Sequence, residues 1–260
     1  MHTVTCKRDV CFRVTNFEEI GLIGLLAAQI LVGQQIGTEV PIVWPKSQQT
    51  QSNFVTIQQL RHVVPGKAQK EMQKADKARL AGRNEDAISR YKAAISIDPE
   101  YVAARNNLAA IYLINDNLQL GSEQLEEAIK IDPHNPTLFR NLSICYELAR
   151  QLAAAERAAR QAIDLDRSDL PSRMILGLVL VEQGKFTQEA QRCFERGCHQ
   201  FPVAHLLAGR VLVGQGEVEK GQAEIQEYLA TGDQDNRNLA LKWLESLGHS
   251  DVKMAMASAH

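Results

Sequence analysis

The sequence predicts an all-α fold, a right-handed α-solenoid of helix pairs that ends in a C-terminal closing helix. The first observation is a pattern that starts at Ala94 and returns at Ala128 and Ala162, at one constant interval. A fixed period in the thirties is typical of stacked helical repeats. The second is composition, because 45% of the residues are hydrophobic but only 5% are aromatic. Alanine and leucine are abundant, and both favour helices.

Residues 1–64 form an N-terminal segment of different character, in which residues 20–38 carry no charged side chain. The apolar part of this stretch has the length of a signal-peptide core and is short for a spanning helix. Residues 1–19 have no net charge, whereas an export signal begins with positive charge. A signal or anchor and an ordinary amphipathic helix therefore both stay open. Residues 40–53 are typical of a linker.

This charge-free stretch is also the basis for an expected location. If residues 20–38 act as a signal or an anchor, the protein is exported, periplasmic or membrane-tethered, and we favour that expectation. The alternative is a cytoplasmic protein in which the stretch is an ordinary helix.

The repeat domain is predicted over residues 65–248, with about five repeats and the closing helix. Three units hold the period without a gap: Ala68–Tyr101, Val102–Asn135 and Pro136–Asp169. Each unit divides into two helical halves that are too short to be stable alone, so the halves must pack on each other and on their neighbours. A fourth unit, from Leu170, has one residue inserted in its turn, and a fifth is more degenerate.

The recurring Asp-Pro pairs are predicted to end helices. Proline disfavours helical geometry in the residue before it, so Asp98 and Asp132 terminate their helices. The two carboxylates lie one full period apart, on successive units, and do not converge on one centre. We therefore interpret them as turn residues and not as catalytic acids.

Small residues recur where two helices must approach closely, because a large side chain would not fit there. They are Ala75, Ala87 and Ala94 in the first unit, Ala109, Gly121 and Ala128 in the second, and Ser143, Ala155 and Ala162 in the third. Larger residues fill the gaps between them, namely Tyr91, Tyr112, Phe139 and Tyr146.

This arrangement of small and large residues resembles the tetratricopeptide repeat (TPR) family. The second unit matches the family pattern with Leu108, Ala109, Tyr112, Gly121, Ala128 and Pro133. The third matches with Phe139, Leu142, Tyr146, Ala155 and Ala162, and the first matches in its second half. The resemblance covers about residues 68–230 and implies a bacterial-type protein that binds other proteins.

The resemblance also implies a binding surface, because the first helices of such repeats line a concave groove. The groove positions taken as protein-binding candidates are Asn106, Ala110, Leu113, Arg140, Ile144, Glu147, Met174, Leu178, Leu206 and Arg210. The second position of a unit also faces the groove and is Ala103 or Thr137 here. A mostly apolar groove favours an extended or helical protein segment. The alternative is that residues 40–64 of the chain itself fill it.

One specialised role in the family is binding a chaperone's C-terminal carboxylate through lysine, arginine and asparagine side chains. Asn106, Asn107, Arg140 and Asn141 supply asparagines and one arginine, but the lysines are absent. The sequence therefore departs from that pattern.

Other chemistry is not predicted. Cys193 and Cys198 lack the spacing of zinc or redox motifs, and His199 and His205 are expected at the surface. The five cysteines form no disulfide framework, and Cys145 is expected to be a buried thiol. A net charge of −2 gives no reason to expect nucleic acid. No cofactor or metal is expected, and no Ser-His-Asp order or nucleotide-binding glycine loop occurs.

The closing helix is predicted after Gly232, with an apolar stripe formed by Leu239, Ala240, Trp243, Leu244 and Leu247. Gly248 is expected to end it, and residues 249–260 are expected to be a flexible tail.

The function expected from the sequence is a non-enzymatic scaffold or adaptor that binds a protein segment in the concave groove. The alternative is an exported or membrane-tethered assembly module of a bacterial envelope complex. The groove hypothesis suggests a binding test with Ile144→Glu plus Leu178→Glu, since both are groove positions.

Overall fold

The structure, a computed structural model, describes residues 62–234 and 236–257, with the backbone alone described for 249–257. The described residues form helices and no strand. The helices are α1 (Gly66–Leu80), α2 (Asn84–Ile97), α3 (Val102–Ile114), α4 (Leu118–Ile131), α5 (Pro136–Leu148), α6 (Leu152–Leu165), α7 (Leu170–Glu182), α8 (Gln188–Glu195), α9 (Val203–Gly214), α10 (Val218–Ala230) and α11 (Arg237–Ala257).

Each helix packs against the next one in the chain, so the helices form five antiparallel pairs followed by α11. The first helices of successive pairs also contact one another, α3 with α5, α5 with α7 and α7 with α9. This double set of contacts makes a solenoid with an inner layer of first helices. The all-α solenoid prediction is confirmed.

One residue with a positive φ angle lies between the two helices of each of the first four pairs, at the interval of the sequence repeat. These residues are Gly82 (φ 70°), Asp116 (φ 57°), Arg150 (φ 59°) and Gly184 (φ 72°). Glycine adopts this conformation readily, whereas a side chain makes it costly. The turn therefore follows the period even where the glycine is missing.

The aspartates that were predicted to end helices do so. Asp98 and Asp132 directly follow α2 and α4. Asp98 accepts a hydrogen bond from the backbone N–H of Glu100 at 3.2 Å. Asp132 accepts one from Asn135 Nδ2 at 3.1 Å. Both carboxylates thus stabilise the turn between two units.

Small residues bring the two helices of a pair together, as predicted. All nine of the small residues named above are buried. A Cβ at Gly121 would lie 2.5 Å from Leu113 Cδ1 and 3.4 Å from the carbonyl oxygen of Ala109. A larger residue at this position would force the end of the Leu113 side chain to shift, so α3 and α4 pack closely here.

The fourth pair departs from the regular pattern, as its inserted residue indicated. Helix α8 has only 8 residues, whereas α4 and α6 have 14 each. An irregular turn over residues 196–202 connects it to α9. The junction between the fourth and fifth pairs is thus built differently from the other junctions.

Helix α11 covers the end of the array. Its residues Ala240 and Leu247 belong to a buried cluster with Leu206, Ile225 and Tyr228. The helix does not end at Gly248, as was predicted, but continues to Ala257. A Cβ at Gly248 would meet nothing within 4 Å, so no neighbouring group forces a break there. The division of the chain at residues 64 and 248 stays a prediction.

Among the described residues, no helix has both the length and the apolar character needed to cross a membrane. Residues 20–38 and the predicted linker 40–53 lie outside the described part of the chain. The signal and anchor interpretations therefore stay predictions.

Candidate protein-binding face

The apolar candidates of the predicted groove are buried. The exposed fraction is 0% for Ile144, 3% for Met174, 2% for Leu178 and 1% for Leu206. The first three belong to the largest apolar cluster among the described residues. These side chains therefore offer little area to a partner, because the first helices pack closely on one another and on their partners. Their assignment as binding residues stays a prediction.

Ala110 and Leu113 are two further apolar candidates, and Arg210 is a basic candidate near the end of the array. Ala110 and Leu113 are 7% and 8% exposed, so they too offer little area to a partner. Arg210 is partly exposed, and its guanidinium lies 5.7 Å from the ring centre of Trp243. Arg210 thus contacts the closing helix.

Polar candidates on the inner layer bind one another across neighbouring helices. Asn141 Nδ2 donates to Asn106 Oδ1 at 2.7 Å, which joins α5 to α3. Asn107 Nδ2 donates to Asp76 Oδ1 at 3.3 Å, which joins α3 to α1. Buried amides need such partners, because an unpaired one is costly. These contacts fix how the first helices align.

Arg140 continues the same polar layer towards α7. Its Nη1 lies 2.8 Å from Asp169 Oδ2, and the two side chains are only 9% and 4% exposed. Asp169 also caps α7, accepting hydrogen bonds from the backbone N–H of Ser172 at 3.3 Å and from its hydroxyl at 2.7 Å. This internal pairing of Arg140 leaves it poorly placed to hold a partner's terminal carboxylate.

Glu147 is an acid of this face whose pKa is strongly raised. It is 2% exposed, and burial together with the nearby Glu182 carboxylate raises its pKa to about 8. The Glu182 carboxylate that affects Glu147 has its Oε2 2.8 Å from Arg150 Nη1. Because Arg150 pairs with Glu182, Glu147 carries the proton of the two acids.

A cavity of about 750 Å³ remains open beside the inner layer, at the junction of the second and third units. Three of its lining residues, Ala103, Asn106 and Thr137, occupy predicted groove positions. Its full lining is His62, Val64, Glu100, Tyr101, Val102, Ala103, Asn106, Lys130, Ile131, Asp132, Asn135, Thr137 and Leu138. The cavity therefore combines apolar walls with groups of both charges.

The residues just before α1 form one wall of this cavity. His62 Nε2 lies 2.9 Å from Asp98 Oδ2, and His62 Nδ1 lies 3.3 Å from Glu100 Oε2. This contact places the end of the N-terminal segment beside the groove. Residues 40–61 lie outside the described part of the chain, so the idea that they fill the groove stays a prediction.

A second cavity of about 530 Å³ is lined by residues of α6, α7 and α8 and by Arg196. Arg160, Arg173, Arg192 and Arg196 line it together with Glu189 and Asp164. Arg160 Nη1 lies 2.6 Å from Glu189 Oε1, so part of the positive charge is neutralised inside the protein. Sequence reasoning missed this cavity because its arginines come from separate parts of the chain.

The cysteines of the repeats differ in their surroundings. Cys145, predicted to be a buried thiol, is 1% exposed, and burial raises its pKa. Cys193 is also buried, whereas Cys198 is partly exposed beside His205 and Glu224. Sequence reasoning missed this last grouping because Glu224 lies on a helix of the next pair.

Two family models match the chain. The model described as TPR repeat matches residues 76–115, and the one described as Tetratricopeptide repeat matches residues 102–135. These matches fall on the units that hold the period, and the structure shows the corresponding helix pairs. Residues 76–135 therefore carry tetratricopeptide repeats.

Solved structures share this tetratricopeptide fold. One is the crystal structure of MamA, with 23% identity and a TM-score of 0.56, covering 60% of this chain and 92% of that chain. Another is YrrB, described as a TPR protein with an unusual peptide-binding site, with 20% identity, a TM-score of 0.59 and coverage of 68% and 92%. At these identities the likeness concerns the fold.

Two curated proteins match part of the tetratricopeptide region. The BBSome complex member BBS4 homolog of Drosophila melanogaster is 27% identical over 103 residues, 39% of this chain and 21% of its own length. The E3 ubiquitin-protein ligase CHIP of Arabidopsis thaliana is 27% identical over 84 residues, 31% of this chain and 30% of its own length. The chain thus spans less than a third of either relative.

Tetratricopeptide arrays are protein–protein interaction scaffolds, a type that is generally non-enzymatic. The coarse prediction of a scaffold is therefore confirmed by the repeats themselves.

Proposed function

We propose that this protein is a non-enzymatic adaptor that binds an extended protein segment at the mouth of its concave groove. The segment occupies the cavity of about 750 Å³ between the second and third units. The single observation that carries this proposal is that groove positions at Ala103, Asn106 and Thr137 line an open cavity. The other apolar groove positions are packed.

The lining of the cavity favours a segment with both apolar and polar side chains. Val64, Val102 and Leu138 supply apolar walls, whereas Lys130 and Asp132 supply charges of opposite sign. Sites of this kind obtain affinity from apolar contacts and orientation from a few polar ones. A segment with one side chain in the cavity and its backbone along α3 and α5 would use both.

The test is direct binding of a purified partner to the full chain. The partner is first identified by affinity purification with mass spectrometry, and its affinity is then measured by calorimetry. We expect Ala103→Glu plus Thr137→Glu to weaken binding at least tenfold, about 1.4 kcal/mol, because both substitutions place charge in the cavity. Ala103 is exposed and Thr137 is partly exposed, so the fold should tolerate them.

The matched control is Ala153→Glu, an exposed alanine at the start of α6. It adds the same kind of charge on a second helix, away from the cavity, and should leave affinity unchanged. Equal affinities for the wild type and the double variant would refute the cavity as the binding site. Ile144→Glu plus Leu178→Glu is unsuitable, since charges at two core positions would unfold the protein.

An export or tethering role is a second proposal, and the charge-free stretch at residues 20–38 supports it. If this stretch acts as a signal or an anchor, the scaffold assembles an envelope complex. Cell fractionation with N-terminal sequencing tests it. Recovery of the whole protein from the cytosol with an intact N-terminus would end this proposal without affecting the groove.

A further inference from the structure

We propose that Cys198, His205 and Glu224 form a binding site for a divalent transition-metal ion of the zinc type. The three residues lie at the irregular junction between the fourth and fifth helix pairs. Cys198 belongs to the turn after α8, His205 lies in the first turn of α9, and Glu224 lies on α10.

The ligand atoms already lie close together. One atom from each of the three side chains lies within 4.8 Å of the other two. His205 Nδ1 and Glu224 Oε2 are 2.8 Å apart. Zinc bonds of about 2.0–2.3 Å place tetrahedral neighbours about 3.3–3.8 Å apart. Closure of the group around an ion therefore requires these separations to change by about 1.5 Å at most.

The ligand set selects the metal. A thiolate and an imidazole favour zinc-like ions, whereas magnesium and calcium prefer sites built of oxygen ligands. Three protein ligands leave a fourth position for water. All three side chains are partly exposed, so an ion can reach them from solvent.

Binding of the metal ion breaks and forms bonds but transfers no electrons. The S–H bond of Cys198 breaks as the sulfur–metal bond forms, and the proton passes to solvent. The Sγ of Cys198 now donates to the carbonyl oxygen of Phe194 at a long 3.4 Å, which is a weak contact for an ion to replace. The proton between His205 Nδ1 and Glu224 Oε2 passes to solvent or to His205 Nε2, and both side chains then bond to the ion.

The position of the site explains what the ion would do. Helix α8 has 8 residues, so the fourth pair has less helix surface to pack on its neighbour than the other pairs have. An ion held by the turn, by α9 and by α10 would tie this junction together. Cys193 cannot serve in this way, because it is buried in the apolar core.

The test uses the full chain, stripped of metal with a chelator under reducing conditions and titrated with Co²⁺. We expect one ion per chain, a thiolate-to-cobalt charge-transfer band and displacement of cobalt by Zn²⁺, which also raises the Tm. Cys198→Ser should abolish the band, and His205→Gln or Glu224→Gln should weaken binding about tenfold or more. Circular dichroism checks that each metal-free variant keeps its helix content.

Two controls separate this site from other thiols and histidines. His199→Gln changes an exposed histidine next to Cys198 and should leave binding unchanged. Cys6→Ser plus Cys11→Ser removes the N-terminal thiols and should also leave the band intact. Absence of a charge-transfer band overturns the proposal. Persistence of the band in Cys198→Ser, or its loss in the N-terminal double variant, overturns it equally.

Discussion

Glu147 makes the stability of the folded chain sensitive to pH. Burial, then the charge of Glu182, raises its folded-state pKa from 4.5 to about 8. Arg150 opposes this shift, but its own side chain is half exposed and pairs with Glu182. The folded chain therefore keeps a proton over a pH range in which the unfolded chain has lost it.

The sign of the effect follows from this difference. Below about pH 4.5, Glu147 is protonated in both the folded and the unfolded chain, and its contribution to the free energy of unfolding is fully present. From there to about pH 8 the unfolding free energy falls by at most about 1.4 kcal/mol per pH unit. Urea unfolding across this range should show a decline that Glu147→Gln removes, because glutamine cannot ionise.

The control for this prediction is Glu219→Gln, which changes an exposed carboxyl of α10. It should leave the decline as steep as in the wild type. A decline of the same slope in Glu147→Gln would show that another group causes it.

The ion pair between Arg140 and Asp169 is the second prediction at this scale. Asp169→Asn should destabilise the fold by about 3–5 kcal/mol, because the buried Arg140 charge loses the Asp169 carboxylate. Asparagine can still cap α7, so the loss reports mainly on the charge. Chemical denaturation measures it.

Asp86→Asn is the matched control, since Asp86 pairs with Arg83 and Arg90 at 3.7 and 3.6 Å on the surface. It should cost less than about 1 kcal/mol. Similar losses for both variants would mean that burial does not strengthen the Arg140 pair.

At the scale of the helix, two glycines of the last elements should respond in opposite ways. A Cβ at Gly221 would lie 2.5 Å from Val213 Cγ2 and 2.8 Å from the carbonyl oxygen of Gly209. Gly221→Ala should therefore push α9 and α10 apart and cost about 1–3 kcal/mol. Thermal unfolding of the variant measures the loss.

Gly248→Ala serves as the comparison, because a Cβ there meets nothing within 4 Å. Inside a continuous helix this change should stabilise the protein by about 0.5–1 kcal/mol. Destabilisation by Gly248→Ala would argue that α11 ends at this glycine after all.

The helix pairs could be predicted because small residues and turn signals recur along the chain at one spacing. Asp98 and Gly121 act through near neighbours, so their roles follow from local sequence. The prediction that Gly248 ends a helix was wrong, because a glycine can terminate a helix without having to do so. Its conformation depends on the surrounding helix and not on the glycine alone.

The candidate site was harder to predict, because it depends on contacts between units. Position within a repeat gives the direction of Ile144 and Leu178 but not how closely α5 and α7 pack. The proton on Glu147 depends on Glu182, which lies at the end of α7, in the next unit. The grouping of Cys198 with Glu224 depends on the course of an irregular turn, which no repeat pattern specifies.

For the whole molecule, the closing helix should control self-association. Without α11, the apolar face formed by Leu206, Ile225 and Tyr228 would lie open at the end of the array. Exposed apolar patches at solenoid ends promote association. A chain that ends at Gln234 should therefore elute at a higher mass per particle than the full chain in size-exclusion chromatography with light scattering.

A chain that ends at Gly248 is the matched control. It keeps Ala240 and Leu247, the two residues that α11 contributes to this buried cluster, and should behave like the full chain. The same number of chains per particle for all three proteins would show that α11 is not needed to cover this face.

The short helix α8 gives the solenoid an uneven stiffness. Each helix pair of a solenoid contacts only its neighbours, so bending takes place at the junctions between pairs. A junction with less helix length in contact resists bending less. Hydrogen bonds from Asn141 to Asn106 and from Arg140 to Asp169 stiffen the junctions before α7. The 8-residue α8 offers the next junction less helix length than the 14-residue α4 and α6 offer to theirs. We therefore expect a partner that changes the curvature of this scaffold to bend it at residues 196–202, so that α9, α10 and α11 move together.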